Sequence, residues 1–232
     1  MVTVITGASK GIGKAIALKF GKEGHQLALC ARGQEDLTNV CEQIVLSGGL
    51  MPFSLVVDMK SKEQVNNFGH QILDRFGCID ILVNNTGVFL PGSILDEEDG
   101  RLEHQLETNV YSAYHLTRIL APSMKERKSG HIINMCSIAS TTAYPNGGSY
   151  SISKFALLGF SKVIREELKD FGVKVTAVLP GATWSASWAG VDLPEERLMN
   201  AKDIADMIWA TTQLGITAVV EEIVIRPQLG DL

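Results

Sequence analysis

The sequence predicts an α/β fold: a doubly wound, mostly parallel, seven-stranded sheet covered by helices on both faces, in three layers α/β/α. Three observations carry this. Short apolar β-like runs alternate with longer runs of helical periodicity along the chain, the pattern of parallel strands joined by crossover helices. Right-handed crossovers then wind the sheet in both directions from its centre. No repeat, low-complexity tract or linker interrupts the alternation, and Gly, Ser and Pro gather only at turns such as Pro145–Ser149 and Pro180–Ser187. Residues 1–232 are therefore expected to form a single domain.

The elements follow in order. Val2–Thr6 reads as a buried strand. Gly11–Lys22 reads as a helix, with Ile12, Ala15, Ile16, Ala17 and Phe20 at helical spacing. Gln26–Ala31 and Gln34–Leu46 form the next strand and helix, followed by Phe53–Val57 and Lys62–Phe76. Asp80–Val83 is a fourth strand, Asp96–Met124 is mostly helical, and His131–Met135 is a fifth strand. Tyr150–Phe171 is a helix and Val173–Leu179 a sixth strand. Ala201–Gln213 and Glu222–Ile225 close the series.

Composition narrows the function classes. A net charge of −5 disfavours nucleic acid or an anionic membrane as partner, although a local basic pocket can still oppose the overall sign. The four cysteines, Cys30, Cys41, Cys78 and Cys136, contain no C-x-x-C, so no disulfide framework or zinc site is expected. The five histidines lack ligand spacing, and no metal is expected. Neither a secretory signal nor a membrane span is expected, because no basic segment leads into a long apolar stretch and no run of about 18 apolar residues occurs. The expected location is the cytoplasm.

In an open α/β sheet the ligand sits at the carboxyl ends of the strands. After the first strand stands Thr6-Gly7-Ala8-Ser9-Lys10-Gly11-Ile12-Gly13. Glycines allow positive φ and close backbone approach, and the helix that follows offers free N–H groups to a phosphate. The spacing G-x-x-x-G-x-G differs from G-x-G-x-x-G, and a tight turn without a ligand is the alternative. After the second strand comes Arg32, where an NAD-selective site would place an acid. Arg32 and Lys10 suit a 2′-phosphate and favour NADP(H) over NAD(H); the alternative is two surface cations. Asp58, after the third strand, either accepts from an adenine amino group or caps the next turn. Asn84-Asn85-Thr86-Gly87 and Pro180-Gly181 complete the strand ends.

Ser137 follows the fifth strand, with Tyr150 thirteen residues on and Lys154 four further. Positions i and i+4 share a helix face, so Tyr150 and Lys154 should point together beside Ser137. A phenol has a pKa of about 10. Lowering it by about three units requires roughly 4 kcal/mol, about what an ammonium at ~4 Å supplies at an effective dielectric near 20. By itself, Y-x-x-x-K is equally a pair on an amphipathic helix.

Together these residues resemble the short-chain dehydrogenase/reductase family, in its single-domain Rossmann-type branch, over nearly the whole chain. TGASKGIG resembles its cofactor loop, NNTG its NNAG turn, and Ser137 with YSISK its serine and Y-x-x-x-K. Asn109 sits where the family keeps a helix asparagine, and Pro180-Gly181 where it keeps a loop beside the nicotinamide. The resemblance implies four catalytic residues. Tyr150 exchanges a proton with the substrate oxygen, Ser137 orients that oxygen, and Lys154 holds the nicotinamide ribose and lowers the tyrosine pKa. Asn109 supports a water that relays protons to Lys154.

The resemblance also implies NADP(H) contacts from Gly7, Ser9, Lys10, Gly11, Ile12, Gly13, Arg32, Asp58 and Met59. Asn85, Gly87, Tyr150, Lys154, Pro180, Gly181, Thr183 and Ser185 complete that set. Thr86 replaces the usual alanine, and Ser185 stands where threonine is common. The short segment from Ala186 to Asn200 argues against a large substrate lid. The ending VEEIVIRPQLGDL is similar to small bacterial members near sepiapterin reductase and 3-hydroxy acid dehydrogenases.

The expected reaction is NADPH-dependent reduction of a small ketone or aldehyde, reversible as alcohol oxidation. One alternative is a 3-oxoacyl-carrier-protein reductase, for which Lys125, Arg127 and Lys128 would be the basic patch. Another is a non-catalytic NADP(H)-sensing regulator, which would not need Ser137, Tyr150 and Lys154 together. Expected substrate walls are Phe89, Leu90, Ile138, Ala139, Tyr144, Trp184 and Trp188, which could equally be core or interface residues. The family resemblance implies a homodimer or homotetramer joined through the helices near residues 100–126 and 150–171.

Overall fold

The structure is a computed structural model that describes residues 1–184 and 193–230. Its elements are β1 (Val2–Thr6), α1 (Gly11–Lys22), β2 (Gln26–Ala31), α2 (Gln34–Leu46), β3 (Phe53–Val56), α3 (Lys62–Phe76) and β4 (Ile81–Asn84). Then follow α4 (Arg101–Leu106), a π-helical turn (Glu107–Tyr111), α5 (Ser112–Arg127), β5 (Gly130–Met135), α6 (Gly148–Leu168), β6 (Val173–Pro180), α7 (Ala201–Thr212) and β7 (Glu222–Ile225).

The seven strands form one sheet in the order β3-β2-β1-β4-β5-β6-β7, and every pairing is parallel. The expectation of a mostly parallel sheet is thus met by a wholly parallel one. The order reverses between β1 and β4, which opens a crevice at their carboxyl ends.

Period-two alternation along the strands sorts side chains into two cores. Ile5, Leu29, Val83 and Val178 face α1, α2 and α7, where Phe20, Ile16, Leu37, Ile44, Ile204 and Ile208 are fully buried. Val4, Ala28, Leu82 and Ile132 face α3 and α5, against Phe68, Ile72, Leu116 and Leu120. Each such side chain contributes roughly 1.5–3 kcal/mol by leaving water, so the sheet is fixed from both faces and its strand ends are held rigid.

Most element ends lie within one to three residues of the sequence reading, and two differences bear on the site. β4 begins at Ile81 because the Asp80 carboxylate is used in a turn, accepting from the Val2 N–H at 2.7 Å and from Arg127 Nη1 at 3.1 Å. The helical stretch expected from Asp96 begins at Arg101, after Gly100 at φ +84°. That stretch is also broken by the π turn, which rotates the helix and brings Asn109 inward.

Candidate active site

The turn after β1 is shaped for close contact. Gly7 and Gly11 have φ of +64° and +53°. A Cβ on Gly13 would lie 2.3 Å from the Gly7 carbonyl oxygen and 2.4 Å from Asn85 Nδ2, so no side chain fits there. No side chain caps α1, which leaves its first N–H groups for a ligand. Asn85 locks the turn from across the crevice. Its Nδ2 donates to the carbonyls of Thr6 at 2.9 Å and Gly7 at 3.1 Å. The N–H groups of Asn85 and Thr86 both donate to Thr6 Oγ1 at 3.0 Å. Ser9, Ile12 and Gly87 lie on these same turns. The loop therefore fits a nucleotide diphosphate.

The two expected cations behave differently. Lys10 Nζ is 2.9 Å from Asp36 on α2, an acid the sequence reading did not place at this site. Arg32 is exposed, with no partner among the described residues. Lys10, Gly11, Asp36 and Trp184 line a cleft of about 360 Å³ at this end of the sheet. Asp58 acts as a turn cap, its Oδ1 accepting from the Lys60 N–H at 3.1 Å. Met59 is buried behind it, 3.6 Å from the Cys30 sulfur.

Pro180 ends β6, and the Gly181 N–H donates to the Ile225 carbonyl at 2.8 Å. Thr183 Oγ1 donates to the Gly181 carbonyl at 2.9 Å, which tightens the loop. Ser185 and Trp188 lie outside the described residues.

Ser137 stands just past β5 and caps a short 3₁₀ turn, Ile138–Ser140. Its Oγ accepts from the Ala139 N–H at 3.1 Å, and its own N–H donates to Ser140 Oγ at 3.2 Å. Tyr150 is in the first turn of α6, where the Ser137 hydroxyl is near enough to favour its phenolate. Lys154, one turn on, is buried and donates to the Met135 carbonyl at 2.7 Å. The three residues thus converge at the end of β5.

The electrostatics depart from expectation. Burial pushes the Tyr150 phenol above its ordinary value; the Ser137 hydrogen bond opposes the rise, and the nearby Cys136 thiol adds to it. The Lys154 ammonium donates to the Met135 carbonyl and lies 5.8 Å from the tyrosine ring centre. Burial also lowers Lys154 itself to about 8.

Asn109 ties the π turn to the β4 loop. Its Oδ1 accepts from the Val88 N–H at 2.7 Å, and its Nδ2 donates to the Val88 carbonyl at 3.0 Å and to Ser153 Oγ at 2.9 Å. Both amide hydrogens are spent, so a side-chain relay to water has only the remaining Oδ1 lone pair. Ser153 Oγ passes the chain on to the Tyr150 carbonyl at 2.7 Å.

Among the expected walls, Phe89 packs edge-on to Tyr150 with ring centres 4.8 Å apart. Phe89, Tyr144 and Trp184 are exposed, while Leu90 and Ile138 are half-buried. Ala139 is fully buried and belongs to the core rather than the wall. The basic patch is largely occupied: Lys125 sits 4.0 Å above the Phe171 ring, and Arg127 binds Asp80 and the Ile79 carbonyl.

The chain is similar to known proteins along its length. Residues 1–195 match the profile of the short chain dehydrogenase family. A sepiapterin reductase of Chlorobaculum tepidum is 33% identical over 239 residues, covering 100% of this chain and 98% of that protein. The crystal structure of a metagenomic short-chain oxidoreductase in complex with NADP superposes with a TM-score of 0.87 at 33% identity, covering 98% and 97% of the two chains. A 7α-hydroxysteroid dehydrogenase complexed with NADH and 7-oxo glycochenodeoxycholic acid superposes at 0.88 with 26% identity, covering 99% and 94%.

Proposed function

The chain belongs to the short-chain dehydrogenase family of oxidoreductases, and from that premise we propose that it reduces a small ketone or aldehyde at the expense of NADPH, with Tyr150 as general acid. The observation that carries this reading is the convergence of Ser137, Tyr150 and Lys154 at the end of β5, at the same edge of the sheet as the glycine turn.

When bound, the nicotinamide supplies or accepts the hydride; the chain's residues supply positioning and a proton. The β1 turn and the start of α1 would hold the diphosphate. Arg32, exposed and without a partner among the described residues, would hold the 2′-phosphate. Lys154 would hold the ribose hydroxyls. Tyr150 gives its phenolic proton to the carbonyl oxygen. The Ser137 hydroxyl hydrogen bonds to that oxygen and stabilises the charge developing there. Burial keeps the Tyr150 phenol protonated at neutral pH, which suits the reducing direction. Phe89 and Tyr144 give the site an apolar mouth that favours small uncharged carbonyls.

The occupied cations at Lys125 and Arg127 speak against docking of an acidic carrier protein. Exposed Tyr114, Ile152 and Phe155 on the two long helices, with Tyr111 just before α5, support pairing of subunits there. No described helix is long and apolar enough to cross a membrane. The test is NADPH and NADH consumption over a panel of small carbonyls. Turnover with NADPH supports the reading; no turnover with either cofactor overturns it.

A further inference from the structure

The start of α6, which carries Tyr150, lacks a local cap. Its N-cap position is Gly147, which has no side chain to offer the free N–H groups. The acceptor comes instead from 52 residues upstream: Glu97 Oε1 accepts from the Ser149 N–H at 3.1 Å and from Ser149 Oγ at 2.6 Å. Ser149 immediately precedes Tyr150 and is buried. The second carboxylate oxygen, Oε2, is buried without a hydrogen-bond partner among the described residues.

The loop holding Glu97 lies flush on the helix start. A Cβ on Gly148, at φ +32°, would meet the Gly92 carbonyl oxygen at 2.4 Å, and the Gly92 N–H donates to the Asn146 carbonyl at 3.0 Å. The same loop carries Phe89, whose ring packs edge-on to the Tyr150 ring. The chain therefore keeps a half-buried carboxylate here, at the positive end of a helix, where anionic groups are favoured.

We propose that Glu97 is a positioning residue: by clamping Ser149 it fixes the first turn of α6 against the Phe89 loop, and so sets where the Tyr150 hydroxyl meets the substrate. Glu97 does not touch the phenol, and it is absent from the groups that shift the Tyr150 pKa, so it acts through geometry rather than charge. This inference rests on the reading of Tyr150 as the acid.

The experiment compares wild type, Glu97→Ala, Glu97→Gln, Ser149→Ala and the Glu97→Ala/Ser149→Ala pair, with Tyr150→Phe alongside. A misplacement of the acid costs on the order of ten- to a hundredfold in kcat. The expected pattern is a loss of that size in kcat for Glu97→Ala, unchanged NADPH affinity by fluorescence titration, and substantial recovery in Glu97→Gln, which keeps an acceptor oxygen. The double variant should lose no more than Glu97→Ala alone, because both changes cut one clamp. If Glu97→Ala lowers Tm but retains full kcat per NADPH-binding site, Glu97 is only structural and the proposal falls. If Tyr150→Phe turns over normally, the reading beneath it fails instead.

Discussion

The Lys154 ammonium donates to the carbonyl oxygen of Met135 at 2.7 Å, joining the helix that carries Tyr150 to the strand that delivers Ser137. The contact makes Lys154 a brace of the site before any cofactor binds. It also leaves a cation inside the protein, and burial lowers that cation to about 8.

The brace has a pH signature. Between about pH 8 and the ordinary lysine value near 10.5, the unfolded chain holds a proton at Lys154 that the folded chain has released. Stability attributable to Lys154 therefore rises with pH across that window and is lowest below it. A Lys154→Met variant should match or exceed wild-type Tm at neutral pH and lose that advantage as the pH climbs. Melting curves across the window check this; a gap independent of pH contradicts it.

Of the two cations expected at the 2′-phosphate, Arg32 is exposed with no partner among the described residues, whereas Lys10 is shared with Asp36. Charge-assisted hydrogen bonds to a phosphate contribute about 1.5–3 kcal/mol, so Arg32→Ala should weaken NADPH binding by about ten- to a hundredfold and leave NADH binding nearly unchanged. Lys10→Ala should lose less. Dissociation constants for both cofactors decide it; equal losses for NADPH and NADH would remove the 2′-phosphate role.

His131 predicts acid sensitivity far from the site. It is buried, with Nε2 2.7 Å from Thr176 Oγ1, whose hydrogen goes to the Val220 carbonyl at 2.6 Å. The Thr176 hydroxyl is thus left to accept from the ring at Nε2. Burial first, with Lys174 assisting, lowers His131 to about 4. As pH falls from about 6.5 towards 4, the unfolded chain binds a proton that the folded chain refuses, and stability is lost. Urea midpoints over that range should fall more steeply for wild type than for His131→Gln; parallel slopes would contradict the assignment.

Much of this was legible in the sequence because it is local. Every strand is a short apolar run beside a helix of 3.6-residue period, and the candidate site residues stand just past the strand ends. What stayed hidden depends on contacts between distant residues or on backbone irregularity. The π turn at Glu107–Tyr111 breaks no apolar pattern, yet it aims Asn109 at Val88. Asp36 reaches Lys10 across two elements, and Glu97 reaches Ser149 across 52 residues. The Tyr150 phenol is raised by burial, which the spacing of Tyr150 and Lys154 along one helix face does not reveal.

Proton delivery by Tyr150 is tested by single-turnover reduction of a carbonyl substrate by NADPH-loaded Tyr150→Phe. Loss of the acid should slow the chemical step by about 10²- to 10⁴-fold, while the NADPH dissociation constant and Tm stay near wild type. A Tyr150→Phe variant that reduces the same carbonyl at the wild-type rate would show that the proton comes from another group.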